Sequence, residues 1–140
     1  MKIAAVSDDG MTISQHFGRA AYYVVVTIQD NQIVAREKRE KMGHAQFGGE
    51  THAEEPAQSQ VEGNDPRGHG FDPASQSRHT QMANAITDCQ VLLARGMGAG
   101  AYDSMQAAGI RPIVTDIPTI DDAVQTYLVG TIVDHTERLH

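Results

Sequence analysis

The segment Ser14-Gln15-His16-Phe17-Gly18-Arg19-Ala20 combines residue types that can bind a metal or an anion. The neutral imidazole of His16 can ligate a metal ion through a ring nitrogen. The guanidinium of Arg19 presents a planar set of donors that matches oxyanions and carboxylates. The segment therefore predicts a binding loop. The alternative is that His16 packs on Phe17 and bonds a backbone carbonyl.

The glycine-rich sequence Arg95-Gly96-Met97-Gly98-Ala99-Gly100-Ala101 is the second candidate and lies between a predicted strand and a predicted helix. Glycines at such a turn let backbone N–H groups approach an anion at the positive end of the helix dipole. The spacing differs from the dinucleotide-binding motif, and no Lys-Ser or Lys-Thr pair follows it as in a P-loop. An anion site would use Arg95, Gly96, Gly98 and Gly100, whereas a tight turn without a ligand is the alternative.

Histidines are the third feature, since the chain has seven of them, and four lie in or beside one polar segment: His44, His52, His69 and His79. Their spacing matches no compact zinc motif. A flexible segment could still fold over a metal and supply one or two nitrogens. His44 and His69 are the better candidate ligands because flanking glycines expose their rings. Solvated loop histidines are the alternative.

The only cysteine, Cys89, precedes a predicted buried strand. Its thiolate would suit iron, and a small core residue is the alternative. One cysteine excludes a disulfide within the chain and a four-cysteine metal site within one subunit. This cysteine usage predicts a reducing, cytoplasmic location.

Asp8 and Asp9 are the aspartates to weigh as nuclease carboxylates, and both follow the first predicted strand. A two-metal nuclease needs several converging acids, one of them within that strand. No Ser-His-Asp or Cys-His arrangement is recognisable from the spacing. We therefore predict that the protein is not an enzyme.

Length and charge limit the possible partners. The chain has 140 residues, enough for one domain with a real core. Its net charge of −7, with neutral histidines, disfavours both nucleic acid and anionic membranes as partners. No apolar stretch approaches the roughly 18 residues that a membrane-spanning helix needs.

The order of predicted elements indicates the fold class. Strands are predicted at Lys2–Val6, Tyr22–Ile28, Gln32–Lys38, Val91–Ala94 and Arg111–Thr115. Helices are predicted at Thr80–Thr87, Ala101–Ala108 and from the Thr119 cap to Leu128. The glycine- and histidine-rich segment 42–78 predicts a long mobile loop, and the tail from Gly130 predicts a strand or an extended end. The whole predicts a single α/β domain over residues 1–140, with a five-stranded mixed sheet and flanking helices in the ribonuclease-H-like arrangement.

Two blocks of sequence resemble one known family. The opening MKIAAVSDDG with Ser14–Ala20 is the first, and Asp88–Gly98 followed by Ala107–Ile110 is the second. Both are similar to the dinitrogenase iron–molybdenum cofactor biosynthesis family. That family includes NifX- and NafY-type accessory proteins and the C-terminal domain of NifB. The resemblance covers roughly residues 1–38 and 79–130.

The resemblance implies a nitrogenase-accessory-factor-like domain without nuclease activity. Such proteins bind an iron–sulfur-based or iron–molybdenum-type cluster, or its precursor, and pass it between cluster-assembly and cofactor-receiving proteins. In that case His16 and the Gly96–Gly100 turn lie at one end of the sheet, where open α/β sheets bind ligands. Arg19 and Arg95 would stabilise the anionic cluster, while a histidine or Cys89 would ligate iron.

Two features of this chain favour transient capture of a cluster over permanent binding. The segment before the first predicted helix is long, and no cysteine pair is present. Two other functions stay open: a regulatory module that binds an anion or small molecule through Gly96–Gly100, and a metal-free protein interaction domain.

Overall fold

The computed structural model describes residues 1–41 and 73–140. The five strands of the sheet are β1 (Lys2–Ser7), β2 (Tyr22–Gln29), β3 (Gln32–Arg39), β4 (Val91–Ala94) and β5 (Arg111–Val114). The described α-helices are α1 (Pro73–Asn84), α2 (Ala99–Ala107) and α3 (Ile120–Leu128). The α/β class, the five-stranded mixed sheet and the ribonuclease-H-like arrangement are confirmed.

The strand order is β3-β2-β1-β4-β5. β2 runs antiparallel to both β1 and β3, whereas β4 runs parallel to both β1 and β5. A two-residue turn joins β2 to β3, and both of its residues, Asp30 and Asn31, have positive φ angles of 55° and 61°. Such angles match the right-handed twist of a hairpin, and Asp and Asn tolerate them better than most residues.

The helices cover both faces of the sheet. The Tyr23 hydroxyl donates a hydrogen bond of 2.9 Å to the Met82 carbonyl in α1. Arg36, which stands beside Val26 in the register, pairs with Asp121 in α3 at 2.7 Å. Tyr23 and Val26 lie on opposite faces because strand side chains alternate. All four residues of β4 are buried, as expected for a strand covered on both faces.

The carboxyl ends of β1, β4 and β5 lie at one edge of the sheet because these strands are parallel. β3 also ends there, since it is antiparallel to β2. The loop after β1, the turn after β4 and the segment after β5 are therefore neighbours. We call this side of the sheet the carboxyl edge.

Helix boundaries differ from those predicted. α1 begins at Pro73, inside the segment predicted to be a loop, and ends at Asn84. A proline is favoured as the first helical residue because the missing N–H is unpaired there in any helix. α2 begins at Ala99, two residues before its predicted start. The predicted mobile loop otherwise falls in 42–72, outside the described residues.

The tail from Gly130 is not a strand. Its only regular element is a 3₁₀ turn at Thr136–Arg138. The Val114 N–H donates to the Asp134 carboxylate at 2.8 Å, and the His135 N–H donates to the Val114 carbonyl at 2.8 Å. The Asp134 side chain thus accepts a hydrogen bond that the backbone of a neighbouring strand would otherwise accept. Regular strand pairing therefore does not continue beside β5. Among the described residues, no helix is long and apolar enough to span a bilayer.

Candidate functional site

The loop containing His16 and the turn after β4 contact each other directly at the carboxyl edge. The Phe17 N–H donates to the Gly96 carbonyl at 2.9 Å, and the Arg95 N–H donates to the Ser14 carbonyl at 3.1 Å. The two segments that sequence analysis singled out are therefore one structural unit.

Gly96 permits this contact. A Cβ atom added there would lie 2.5 Å from the Gln15 carbonyl oxygen, closer than any side chain tolerates. Gly96 is itself buried. The absence of a side chain at Gly96 thus lets the loop and the turn approach closely.

Ser7 and the aspartates that follow it fix the loop that contains His16. The Asp9 carboxylate accepts hydrogen bonds from the N–H groups of Met11 and Thr12 at 2.9 and 2.8 Å. These bonds lower the pKa of Asp9 from 3.8 to about 2. The Asp8 carboxylate accepts from the Ala21 N–H at 2.7 Å, at the far end of the loop. Both carboxylates are therefore occupied in holding backbone.

Lys41, just beyond β3, also holds this loop. Its ammonium group is buried and donates to the carbonyls of Phe17 and of Ala20, the latter at 3.1 Å. The nitrogen lies 4.9 Å from the centre of the Phe17 ring. Burial lowers the pKa of Lys41 from 10.5 to about 8, although nearby Asp8 acts in the opposite direction.

A pocket of about 280 Å³ lies between the loop, α1, α2 and the tail. Its polar lining residues are His16, Arg19, His79 and His140. Its apolar lining includes Phe17, Met97 and Ala101, all of them buried.

Two of those residues, His16 and Arg19, were predicted from sequence and are both exposed on the loop. Of the other two, His79 on α1 was among the four histidines considered but was not a preferred ligand, and His140 in the tail was not considered. No spacing in the sequence relates positions 16, 79 and 140, so only the fold could reveal that they share a cavity.

Backbone groups at the start of α2 are hydrogen-bonded to His140 in the tail. The Ala99 N–H donates to the His140 carbonyl at 2.8 Å, and the His140 N–H donates to the Met97 carbonyl at 3.3 Å. Of the predicted anion-binding residues, Gly98 lines the pocket, whereas Gly100 is buried within the helix and Arg95 is not part of the lining. The turn thus contributes Met97 and Gly98 to the wall of the pocket.

Cys89 lies at the opposite edge of the sheet. Its neighbour Gln90 donates from its N–H to the Lys2 carbonyl, at the start of β1. Four residues of β4, at about 3.3 Å each, separate this position from the turn after β4. The side chain is 2% exposed, and burial raises the pKa of the thiol to about 11. Cys89 is therefore a buried thiol at the edge of the sheet opposite the pocket.

The remaining predicted ligands, His44 and His69, lie outside the described residues. Within residues 1–41 and 73–140, no three His, Cys, Asp or Glu side chains are grouped closely enough to hold one metal ion.

These features define an α/β protein with a histidine- and arginine-lined pocket at the carboxyl edge of a five-stranded mixed sheet. The sequence matches the dinitrogenase iron–molybdenum cofactor family over residues 1–130. The chain belongs to that family, which associates it with the iron–molybdenum cofactor.

Solved structures share the fold. The PH0822 protein is 21% identical, with a TM-score of 0.62 and 96% of each chain covered. The apo form of the orange protein from Desulfovibrio gigas is 24% identical, with a TM-score of 0.58 over 94% of this chain and 89% of that one. The MJ0327 protein of Methanocaldococcus jannaschii is 13% identical, with a TM-score of 0.58 over 94% and 91%. No curated protein sequence matches significantly.

Proposed function

We propose that this protein binds an iron–sulfur-based metal cofactor, or its precursor, and transfers it to another protein. The pocket at the carboxyl edge is the proposed binding site, with His16 as a ligand and Arg19 as the counter-charge. In this role the protein is a carrier in the cytoplasm and not an enzyme, and its partners are cluster-assembly and cofactor-receiving proteins.

The observation that supports this proposal most directly is the lining of the pocket. Imidazole nitrogens are suitable ligands for iron, and a guanidinium stabilises a bound anion. Phe17, Met97 and Ala101 provide an apolar wall against which a sulfide surface can pack. The donor set therefore fits an anionic metal–sulfur body.

The openness of the site supports transfer over permanent storage. His16 and Arg19 are both exposed, and the described residues contain no thiolate that faces the pocket. Histidine ligands alone bind iron–sulfur clusters less firmly than cysteines do, since thiolates are the softer ligands. A cofactor held this way can be released to a partner protein.

The alternative of an anion-binding regulatory module at Gly96–Gly100 has less support. Gly96 is closed off by the Gln15 carbonyl, and the Ala99 N–H is taken by His140. The metal-free interaction domain has no specific observation in its favour.

The proposal is tested by incubating the full chain without oxygen with ferrous iron and sulfide, and then removing unbound material on a desalting column. We expect a coloured protein that retains both iron and sulfide. The variant His16→Ala should retain several-fold less, and His44→Ala and His69→Ala test the two other predicted histidine ligands. His135→Ala is the matched control, because that imidazole bonds Glu137 at 2.9 Å and is not part of the pocket lining. Wild-type protein that retains no iron would refute the proposal.

A further inference from the structure

We propose that residues 131–140 form a detachable strap over one side of the pocket, and that the hydrogen bond between Tyr102 and Asp134 fastens this strap. With the strap attached, the pocket is closed on the side of α2. With the strap detached, the pocket and the start of α2 become accessible while the rest of the domain stays folded. The strap thereby controls access to the pocket, whichever ligand the pocket takes.

The strap lies beyond the part of the chain that matches the family. That match ends at residue 130, and Gly130 follows α3 with a positive φ angle of 84°. The strap then passes β5 and returns to the start of α2, where His140 is one of the residues that line the pocket. A segment outside the family match thus forms part of the wall of the pocket.

Asp134 fastens the middle of the strap. Its carboxylate accepts hydrogen bonds from the Tyr102 hydroxyl at 2.6 Å and from the Val114 N–H at 2.8 Å. The adjacent His135 N–H donates to the Val114 carbonyl at 2.8 Å. Hydrogen bonds to an ionised acceptor are stronger than those between neutral groups. Asp134 therefore ties the strap to α2 and to β5 at the same point.

The end of the strap is bonded to backbone groups at the start of α2. The His140 carbonyl accepts from the Ala99 N–H at 2.8 Å, and the His140 N–H donates to the Met97 carbonyl at 3.3 Å. The first N–H groups of a helix have no partner within the helix, so the strap supplies one from outside. Detachment of the strap consequently frees the Ala99 N–H and removes His140 from the pocket wall in one event.

The strap is held mainly by these polar contacts, because little of it is buried. None of residues 131–140 is buried, and Ile132 and Leu139 pack against the core while only partly buried. All four residues of β4, by contrast, are buried. Segments with few buried apolar contacts open at a lower free energy than the core does. The strap is therefore able to detach without unfolding of the sheet.

Hydrogen exchange followed by NMR on the full chain tests whether the strap opens as a unit. We expect the N–H groups of Ala99, Val114 and His135 to share one opening free energy, lower than that of the β4 amides. Tyr102→Phe removes only the hydroxyl, and it should accelerate exchange at these three positions several-fold.

The matched control for exchange is Tyr22→Phe, the same change on β2, where the ring faces the Lys38 ammonium at 4.6 Å; it should leave exchange unchanged. If the strap amides exchange only as slowly as those of β4, the strap does not detach and the proposal is wrong. Unchanged exchange in Tyr102→Phe would show that this bond does not fasten the strap.

Access to the pocket is measured with a thiol introduced into its wall. Ala101 lines the pocket and is 3% exposed, so Ala101→Cys in a Cys89→Ala background places a single thiol there. We expect a maleimide reagent to label this thiol several-fold faster when Tyr102→Phe is added, and at an unchanged rate when Tyr22→Phe is added. Met97→Cys replaces Ala101→Cys if the melting temperature shows that the latter is unstable.

Equal labelling rates with and without Tyr102→Phe would show that the strap does not close the pocket, and the proposal would be wrong. Neither exchange nor labelling uses a cofactor. Failure of the chain to retain iron and sulfide would therefore refute the proposed function while leaving the strap to be decided by these two measurements.

Discussion

At the scale of single residues, the polar side chains after β1 hold the backbone of the loop that contains His16. Ser7 accepts the Gly10 N–H at 2.9 Å and donates to the Thr12 carbonyl at 2.7 Å. Asp9 and Asp8 then fasten the two ends of the loop. Acidic residues after a first strand therefore serve here as hydrogen-bond acceptors for backbone, which leaves no free carboxylate pair for nuclease chemistry at this position.

Gly96→Ala is predicted to destabilise the fold by about 1–3 kcal/mol, the usual cost of forcing atoms into a packed site. The added Cβ would meet the Gln15 carbonyl, which is backbone and cannot move aside cheaply. Urea denaturation measures the effect. Gly18→Ala is the matched control, because a Cβ atom added there would have no neighbour within 4 Å. Equal stability of the two variants would show that the loop and the turn are not in contact.

Asp9→Asn is predicted to lose less of its free energy of unfolding in acid than wild-type protein does. The folded-state pKa of Asp9 is about 2, below its ordinary value of 3.8. Its contribution is therefore fully present above about pH 4 and is lost as the pH falls towards 2. The free energy of unfolding of wild-type protein should fall more steeply over this range than that of Asp9→Asn. Asp103→Asn, at an exposed position on α2, should behave like wild type.

At the scale of elements, the site depends on connections between segments that are distant in sequence. Lys41 links the end of β3 to the loop after β1, and the tail links β5 to the first turn of α2. The ion pairs of Arg39 with Asp88, at 2.7 Å, and of Arg36 with Asp121 join β3 to elements on opposite faces. β3 is largely exposed, and these side-chain contacts join it to the rest of the fold in addition to its hydrogen bonds to β2.

Lys41→Met is predicted to change how stability varies in alkaline solution. The folded-state pKa is about 8 against an ordinary value of 10.5, so between these values the unfolded chain binds the additional proton. The stability of wild-type protein should consequently rise with pH over this interval, and the rise should be absent in Lys41→Met. Thermal unfolding from pH 7 to 10.5 measures it. The control is Lys38→Met, at an exposed position of β3; the same loss of slope in that variant would contradict the assignment.

At the scale of the whole molecule, the sheet separates two ends with different roles. The carboxyl edge gathers the loop, the turn, the pocket and the tail, as open α/β sheets generally do with their binding sites. The other edge contains Cys89 and the paired charges of Lys2 and Asp88, at 3.1 Å. Hydrogen bonds from Arg39 hold the pKa of Asp88 well below its usual range.

Cys89 is predicted to be inert in the folded protein. Because burial raises the pKa of its thiol to about 11, thiolate is scarce at neutral pH and access is restricted. Its reaction with a thiol reagent should be at least about ten-fold slower than in urea-unfolded protein. Cys89→Ala should retain as much iron and sulfide as wild-type protein. Loss of loading in this variant without loss of stability would place a ligand at the wrong edge of the sheet.

Local patterns in the sequence indicated the five strands and the fold class, whereas the bounds of α1 and the form of the tail differed from those predicted. β-Branched and aromatic residues indicated β2. The Thr119 hydroxyl, which accepts the Asp122 N–H at 3.4 Å, marked the start of α3. Each of these signals is a short-range preference of neighbouring residues, and such preferences can be recognised without knowing the fold. The binding loop with His16 and Arg19 was also visible, because both residues lie in one short segment.

Only the tertiary structure decided which residues share the pocket. His79 and His140 line the same pocket as His16 because α1 and the tail pack at the carboxyl edge, and no local sequence pattern predicts that the three residues are neighbours. The same packing brings Gly96 against the Gln15 carbonyl and places Cys89 at the edge of the sheet opposite the pocket. Neighbouring residues in the sequence determine local conformation. A site depends instead on distances between segments that are far apart in the sequence, and these distances are established only when the elements pack.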